Sequence, residues 1–136
     1  MGGALLRLRV YAVAVATPLL MRLPLAVLGR VLEPRAAPAP DVGRTTRVEE
    51  AVEEVLGHAG GRVLRGGCLT RGVTRYWFLR RAGEPVELCF GVGRPDGGPL
   101  EGHCWILRAG EPYREGRDPR PVFAETWRIP RAEQPA

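Results

Sequence analysis

The chain contains no lysine, no asparagine and no serine, and all 20 of its basic residues are arginine. Without serine, no mechanism that requires a serine nucleophile is open to it. The exclusive use of arginine as the basic residue is typical of a GC-rich bacterial genome. The sequence therefore directs attention to its few cysteines and histidines as the carriers of any nucleophilic chemistry.

Three cysteines and two histidines are present, and neither a CxxC nor an HxxxH spacing occurs. Structural zinc sites depend on such spacings, so we predict no metal and no cofactor. An odd number of cysteines without a paired framework is typical of a reducing compartment. We therefore expect a cytoplasmic protein.

At 136 residues, 45% hydrophobic and 26% charged, the chain has the size and composition of one globular domain. Its charge is uneven, because residues 1–44 carry six arginines and two acids whereas residues 45–136 carry fourteen arginines and thirteen acids. Such a basic segment is compatible with nucleic-acid binding. No interleaved aromatics or recognised binding fold accompany it, so we predict no nucleic-acid partner.

Residues 1–32 are apolar with scattered arginines, and we predict N-terminal helices that pack over a catalytic core. The alternative is a basic amphipathic segment that rests on a membrane or partner surface. The longest run without charge, Val10 to Met21, is shorter than the ~20 residues of a membrane-spanning helix. Two arginines before an apolar run also occur in signal peptides, but Arg22 and a further apolar segment follow here.

Residues 33–44 are rich in proline and alanine, which predicts a linker. A capping box formed by Thr46 and Glu49 then predicts the start of a packing helix. We assign residues 45–129 to a catalytic domain and residues 130–136 to a loose tail.

A helical pattern begins at Cys68 and ends before Gly83, as expected of a glycine at a helix C-terminus. Two segments with strand-like alternation follow, Val86–Val92 and Leu100–Leu107, joined by a turn rich in proline and glycine. In the second, His103, Trp105 and Leu107 fall on one face, and Cys104 and Ile106 on the other. The pattern predicts an α+β fold with a small antiparallel sheet.

A cysteine at a helix start, followed by a histidine on a strand, is the layout of a thiol nucleophile and its base. The helix N-terminus favours the thiolate of Cys68, and its backbone N–H can donate to an oxyanion. His103 would take the thiol proton if a third group oriented its ring. A neighbouring strand over Pro112-Tyr113-Arg114-Glu115 would bring the Glu115 carboxylate beside His103, with Asp118 as the alternative. Cys89 and Cys104 lie within strands, and we expect them to be buried and inert.

Several motifs together resemble the lasso-peptide leader peptidases known as B2 proteins, which belong to the transglutaminase-like superfamily and have a papain-like fold. The matching segments are Gly67-Cys68-Leu69-Thr70-Arg71-Gly72, Leu79-Arg80-Arg81-Ala82-Gly83-Glu84-Pro85-Val86, Phe90-Gly91-Val92 and Glu101-Gly102-His103-Cys104-Trp105-Ile106. The resemblance implies Cys68 as nucleophile, His103 as general base and the residue at position 115 as the triad acid.

The sequence departs from the family pattern at four of these positions. Position 115 holds glutamate where the family has aspartate, a side chain one methylene longer with the same charge. Gly72 stands where serine is common, and Gly102 and Cys104 stand where alanine is common. None of the four changes removes a reacting group.

The resemblance implies a cysteine peptidase that removes the leader from a ribosomally made lasso-peptide precursor through a thioester intermediate. It also implies two partners, a separate B1-type protein that binds the leader and an ATP-dependent cyclase that closes the ring. The alternatives are a non-catalytic scaffold protein of the same fold, which the glutamate at position 115 keeps open, and another papain-like amide hydrolase or transglutaminase.

Overall fold

The computed structural model describes residues 2–59 and 67–130, so the tail predicted at 130–136 lies outside the described residues except for Pro130. Within these ranges the chain forms four helices followed by four strands, with the order β3-β2-β1-β4 in one antiparallel sheet. The elements are α1 (Gly2–Leu20), α2 (Leu25–Leu32), α3 (Val42–Ala59), α4 (Gly67–Arg81), β1 (Glu87–Gly93), β2 (Glu101–Arg108), β3 (Glu111–Tyr113) and β4 (Phe123–Ile129). The predicted α+β class is confirmed.

The α4 helix ends where the sequence predicts. Gly83 has φ +98°, and its N–H donates to the carbonyl of Arg80 while the Glu84 N–H donates to that of Leu79. This is the Schellman arrangement, which satisfies the last carbonyls of a helix and favours glycine at the left-handed position. A side chain at position 83 would also collide with the backbone between α2 and α3, because a Cβ there would lie 2.7 Å from the Pro38 carbonyl oxygen.

The start of α3 corrects the sequence analysis. The helix begins at Val42 rather than at the predicted Thr46 capping box, within the segment assigned as linker. Asp41 provides the cap, since its Oδ1 accepts the backbone N–H of Arg44 at 2.8 Å. This bond satisfies an N–H that has no partner inside the helix. Thr46 instead donates to the Val42 carbonyl one turn earlier, at 2.8 Å, as a residue inside a helix does.

The segment between α2 and α3 is held against the end of α4. The Arg44 side chain donates to the backbone carbonyls of Ala39 and Ala82. Glu33, at the end of α2, accepts hydrogen bonds from Tyr76 and Arg80 of α4. Although its composition is that of a linker, the segment joins the N-terminal helices to α4 through polar contacts.

The helices and the sheet enclose two main groups of buried apolar side chains. One lies between α2, α4 and the sheet: Leu28, Leu32, Val73, Tyr76, Leu79, Val86, Leu88, Phe90, Cys104, Ile106 and Ile129. The other lies between α1, α3 and α4: Val10, Ala14, Val48, Ala51, Val52, Leu56, Phe78 and Ala82. Each fully buried leucine or phenylalanine contributes about 1.5–3 kcal/mol. Thus α4 contributes to both cores, and α3 is a packing helix, as predicted.

Both N-terminal helices pack on the rest of the domain. Val10 and Ala14 of α1 are 0% and 1% exposed, and Leu28 and Leu32 of α2 are fully buried. By length and composition α1 also satisfies the criteria for a helix that can cross a bilayer, as the only such helix within the described residues. This is weak evidence, because core helices and signal sequences meet the same criteria.

Two departures from the family pattern lie against each other where α4 packs on β2. A Cβ added at Gly72 would lie 2.6 Å from the Sγ of Cys104, closer than packed atoms approach. The thiol of Cys104 therefore occupies the space that a side chain at position 72 would fill. A side chain at position 72 would therefore require a smaller residue at position 104, because a close-packed interior tolerates little added volume.

This contact predicts a non-additive response to substitution. Gly72→Ser alone overpacks the contact and should lower the free energy of unfolding by about 1–3 kcal/mol. Cys104→Ala alone leaves a small cavity and should cost about 1 kcal/mol. In the double variant the two changes should offset, with a coupling of about 1–2 kcal/mol measured by chemical denaturation. Additive losses would show that the two positions do not share this space.

Candidate active site

The strand β2 carries His103 at an open edge of the sheet. β3 pairs only with Ile106, Leu107 and Arg108, so the first half of β2 has no strand neighbour on that side within the described residues. The His103 ring is 22% exposed and lies over two aromatic rings, with centroid separations of 4.9 Å to Phe123 and 5.9 Å to Trp105. The aromatic contacts restrict the plane of the imidazole and leave its edge accessible.

The glycine opposite His103 makes room for this arrangement. Gly91 on β1 pairs with His103, and a Cβ there would lie 2.8 Å from the Trp105 ring. Any larger residue at position 91 would displace the indole that supports the imidazole. The contribution of Phe123 is not evident from the sequence, because this residue lies twenty positions beyond His103 on β4.

The structure brings Glu115 to His103, with Oε1 at 3.3 Å from Nε2. The sheet register alone would not do this. Extending the β2–β3 pairing by two residues would place Glu115 opposite Cys104, and directly opposite residues point to the same face. Because His103 and Cys104 are consecutive on β2, their side chains point to opposite faces, and Glu115 would therefore point away from His103. The strand ends at Tyr113, and Arg114 adopts a φ of +53°, so the alternation breaks and the carboxylate turns to the imidazole.

Asp118, the alternative acid, is held elsewhere. Its carboxylate accepts the backbone N–H of Arg120 at 2.9 Å and the guanidinium of the same residue at 2.8–3.1 Å. The hydrogen bonds from the Arg120 side chain lower the pKa of Asp118. Of the two carboxylates, Glu115 is the one in contact with His103.

Cys68 lies in the first turn of α4, as the sequence predicts. The chain enters the helix through Gly67, whose φ of +54° favours glycine. In this turn the backbone N–H groups have no partner inside the helix, so they are available to an anion. The thiol is half-buried, whereas Cys89 and Cys104 are 0% and 2% exposed.

Burial separates the three thiols chemically. Loss of hydration raises the pKa of Cys89 to about 12 and that of Cys104 well above its usual range. Neither ionises at neutral pH. The expectation that these two cysteines are buried and inert agrees with this environment, and Cys68 is the one thiol that water and reagents reach.

A cleft of about 220 Å³ joins the three proposed site residues. It lies between the start of α4 and the open edge of β2, and Cys68, His103 and Glu115 all line it. Three arginines, Arg71, Arg75 and Arg114, complete its wall. No group of three or more metal-ligating side chains occurs in residues 2–59 and 67–130.

One carboxylate from α3 connects the two sides of this cleft. Glu53 accepts two hydrogen bonds from Arg75 of α4, at 2.8 and 3.1 Å, and lies 3.7 Å from Arg114. Arg114 immediately precedes Glu115. Glu53 therefore connects the helix of Cys68 with the turn that carries the acid. Nothing in the sequence around Glu53 indicates this function.

The comparison with known families agrees with this architecture. A sequence model described as the transglutaminase-like superfamily matches residues 6–128. The chain belongs to this superfamily, whose members are often cysteine peptidases or acyltransferases, and this membership points to papain-like peptidase or transglutaminase-type chemistry. Neither the curated proteins nor the solved structures give a match.

Selective alkylation tests the separation of the three thiols. Iodoacetamide at neutral pH should modify Cys68 in the native protein and leave Cys89 and Cys104 unmodified until the chain is unfolded, because only the thiolate reacts. Glu115→Gln should slow this reaction about tenfold if Glu115 orients His103 as the base. Asp118→Asn is the matched control and should have no effect. Peptide mapping by mass spectrometry reports both results, and equal slowing by the two variants would contradict the assignment of Glu115.

The α3 carboxylate gives a second prediction. Glu53→Gln removes the charge of a largely shielded carboxylate that accepts two hydrogen bonds from Arg75. It should lower the free energy of unfolding by about 1–3 kcal/mol. Glu54→Gln on the same helix is the control. Its partner Arg7 is 54% exposed, and exposed pairs contribute about 0–1 kcal/mol. Urea denaturation distinguishes the two variants, and equal losses would show that Glu53 acts only as a surface charge.

Proposed function

We propose that this protein is a cysteine peptidase that removes the leader peptide from a ribosomally synthesised lasso-peptide precursor in the cytoplasm. The observation that carries the proposal is the contact between His103 and Glu115 in the cleft that Cys68 also lines. Superfamily membership supports the chemistry of the site. The motif resemblance described above supports the substrate class and its two partners, a B1-type leader-binding protein and an ATP-dependent cyclase.

The orientation of the imidazole assigns its two nitrogens. Nε2 faces Glu115, so a proton on Nε2 is shared with the carboxylate and Nδ1 is left to accept a proton from the Cys68 thiol. Glu115 then stabilises the resulting imidazolium, as the third member of a nucleophile–base–acid triad does. The rings of Phe123 and Trp105 hold the imidazole in this orientation.

Cleavage follows in two steps. The Cys68 thiolate attacks the carbonyl carbon at the leader–core junction, and the backbone N–H of Cys68 stabilises the oxyanion. The C–N bond breaks as the imidazolium gives its proton to the leaving amine, which becomes the free N-terminus of the core. Water then attacks the thioester and passes a proton to His103. The C–S bond breaks, which releases the leader as a carboxylate and returns the thiol.

The charge of the cleft favours an acidic substrate segment. Arg75 and Arg114 interact with Glu53, whereas Arg71 is exposed, without a carboxylate partner among the described side chains, one helical turn after Cys68. A guanidinium in this place matches a carboxylate of the leader in charge and hydrogen-bonding geometry.

The test is cleavage of the candidate precursor in the presence of its leader-binding partner, followed by mass spectrometry. Wild-type protein should release the leader at one position, and Cys68→Ala should abolish the cut. Cys89→Ala removes a thiol outside the cleft and should retain cleavage. A stable protein that makes no cut in any cognate precursor would contradict the proposal and favour a scaffold function.

A second measurement separates hydrolysis from acyl transfer. The same thioester gives a transglutaminase product when an amine, rather than water, attacks it. Incubation of the precursor with a labelled primary amine should leave the leader as a free acid. Incorporation of the label at the new C-terminus or at a glutamine would assign the site to transferase chemistry instead.

A further inference from the structure

Helix α1 has two apolar faces, and only one of them packs against the domain. Val10, Ala14 and Thr17 are buried at 0–1% exposure. On the opposite side, Leu5, Leu8, Val15 and Leu19 are 49–64% exposed, and Ala12 between them is exposed too. These five residues, which we call the outer α1 face, recur at intervals of three and four and so form one continuous stripe. At 1.5 Å per residue the stripe is about 21 Å long.

The N-terminal segment that carries this stripe has charged residues of one sign. Residues 1–32 contain four arginines and no acidic residue. Arg7 pairs with Glu54 of α3, whereas Arg9, Arg22 and Arg30 are exposed and lack a carboxylate partner among the described residues. Arg9 lies beside the stripe, four residues after Leu5 and three before Ala12. An apolar stripe bordered by an arginine, on a segment without acidic residues, is complementary to an apolar layer beneath anionic groups.

The packing of α1 is incompatible with a membrane-spanning orientation. Its inner face contacts α3, which carries Glu49, Glu50, Glu53 and Glu54. A bilayer around α1 would have to bury these carboxylates in hydrocarbon, at a prohibitive cost. The superfamily match also begins at residue 6, so α1 is an element of the domain. Self-association through the outer α1 face would place two arginine-rich segments together without acidic partners, which is unfavourable.

We propose that the outer α1 face lies on the surface of an anionic lipid bilayer, with the helix parallel to the membrane plane. The leucines enter the boundary between headgroups and acyl chains, and the arginines contact lipid phosphates. This inference does not depend on the proposed peptidase activity.

Co-sedimentation of the full chain with vesicles tests the proposal. The protein should bind vesicles that contain phosphatidylglycerol and bind pure phosphatidylcholine vesicles several-fold more weakly. Raising the salt from about 0.05 M to about 0.5 M should weaken binding, because salt screens the arginine–phosphate attraction. Leu8→Glu should reduce the partition coefficient by about tenfold or more, since a charge in the apolar stripe opposes insertion.

Matched variants make the result specific. Leu100→Glu places the same charge on another surface, at a leucine that is 62% exposed, and should bind as the wild type does. Arg9→Gln should weaken binding to anionic vesicles more than Arg94→Gln, which changes an exposed arginine outside the segment. Circular dichroism and thermal unfolding should show all four variants folded, because the replaced side chains are exposed.

Three outcomes would overturn the proposal. The first is no binding to either type of vesicle. The second is equal loss in Leu8→Glu and Leu100→Glu. The third is a concentration-dependent dimer, seen by analytical ultracentrifugation, that Leu8→Glu dissociates without any binding to lipid. That last result would assign the outer α1 face to a second copy of the chain.

Discussion

The arrangement of the molecule depends on α4 being buried along its length and open at its start. Tyr76 and Phe78 of this helix are 0% and 5% exposed and belong to different cores. Three other helices and the sheet therefore fix its position. Cys68 lies at the exposed end, so the thiol is placed by contacts one to three turns away. The packing of the rest of α4 thus holds the nucleophile in place, while the Cys68 thiol itself is only half-buried.

The opposite wall of the cleft is positioned by a different constraint. His103 is held by the β1–β2 register and by two aromatic rings, whereas Glu115 follows the end of β3 and is free of sheet register. The two walls are joined by the apolar packing of α4 on β2 and, at the turn that carries Glu115, by charge. Glu53 binds Arg75 on α4 and approaches Arg114 beside Glu115. Polar contacts at 14–46% exposure are weaker than core packing, so the turn with Arg114 and Glu115 is held less firmly than α4 is held on β2.

Local chemistry explains what could be predicted from the sequence. The α4 helix, its glycine stop, the two long strands and the faces of His103 and Cys104 follow from periodicity and turn residues. These signals span fewer than twenty residues each. The start of α3 was missed because Asp41 lies inside a proline- and alanine-rich stretch, where a capping aspartate is hard to distinguish from a loop residue. Thr46 and Glu49 formed the more regular capping pattern five residues after Asp41.

The parts that could not be predicted depend on contacts between distant elements. Nothing near His103 in the chain indicates that Phe123 covers its ring, and nothing near Glu53 indicates its two arginine partners. A run of glutamates on a helix is typical of a solvated face, whereas the Glu53 side chain is only 26% exposed beside Arg75 of α4. The proximity of Glu115 was predicted, but by a reasoning that the register contradicts. A regular strand through position 115 would have turned the carboxylate away, and a single left-handed residue reverses this.

That left-handed turn also bears on the use of glutamate where the resemblance leads one to expect aspartate. On a regular strand the side chain at position 115 would point away from His103, whatever its length. Glu115 stands on backbone that has left the sheet, and there the extra length is accommodated. The 3.3 Å contact with His103 is within reach of a charge-assisted interaction that tightens when the imidazole gains a proton. The methylene that distinguishes glutamate from aspartate therefore does not keep this carboxylate from the imidazole. A glutamate at position 115 can orient His103 from this backbone, as the third member of a triad does.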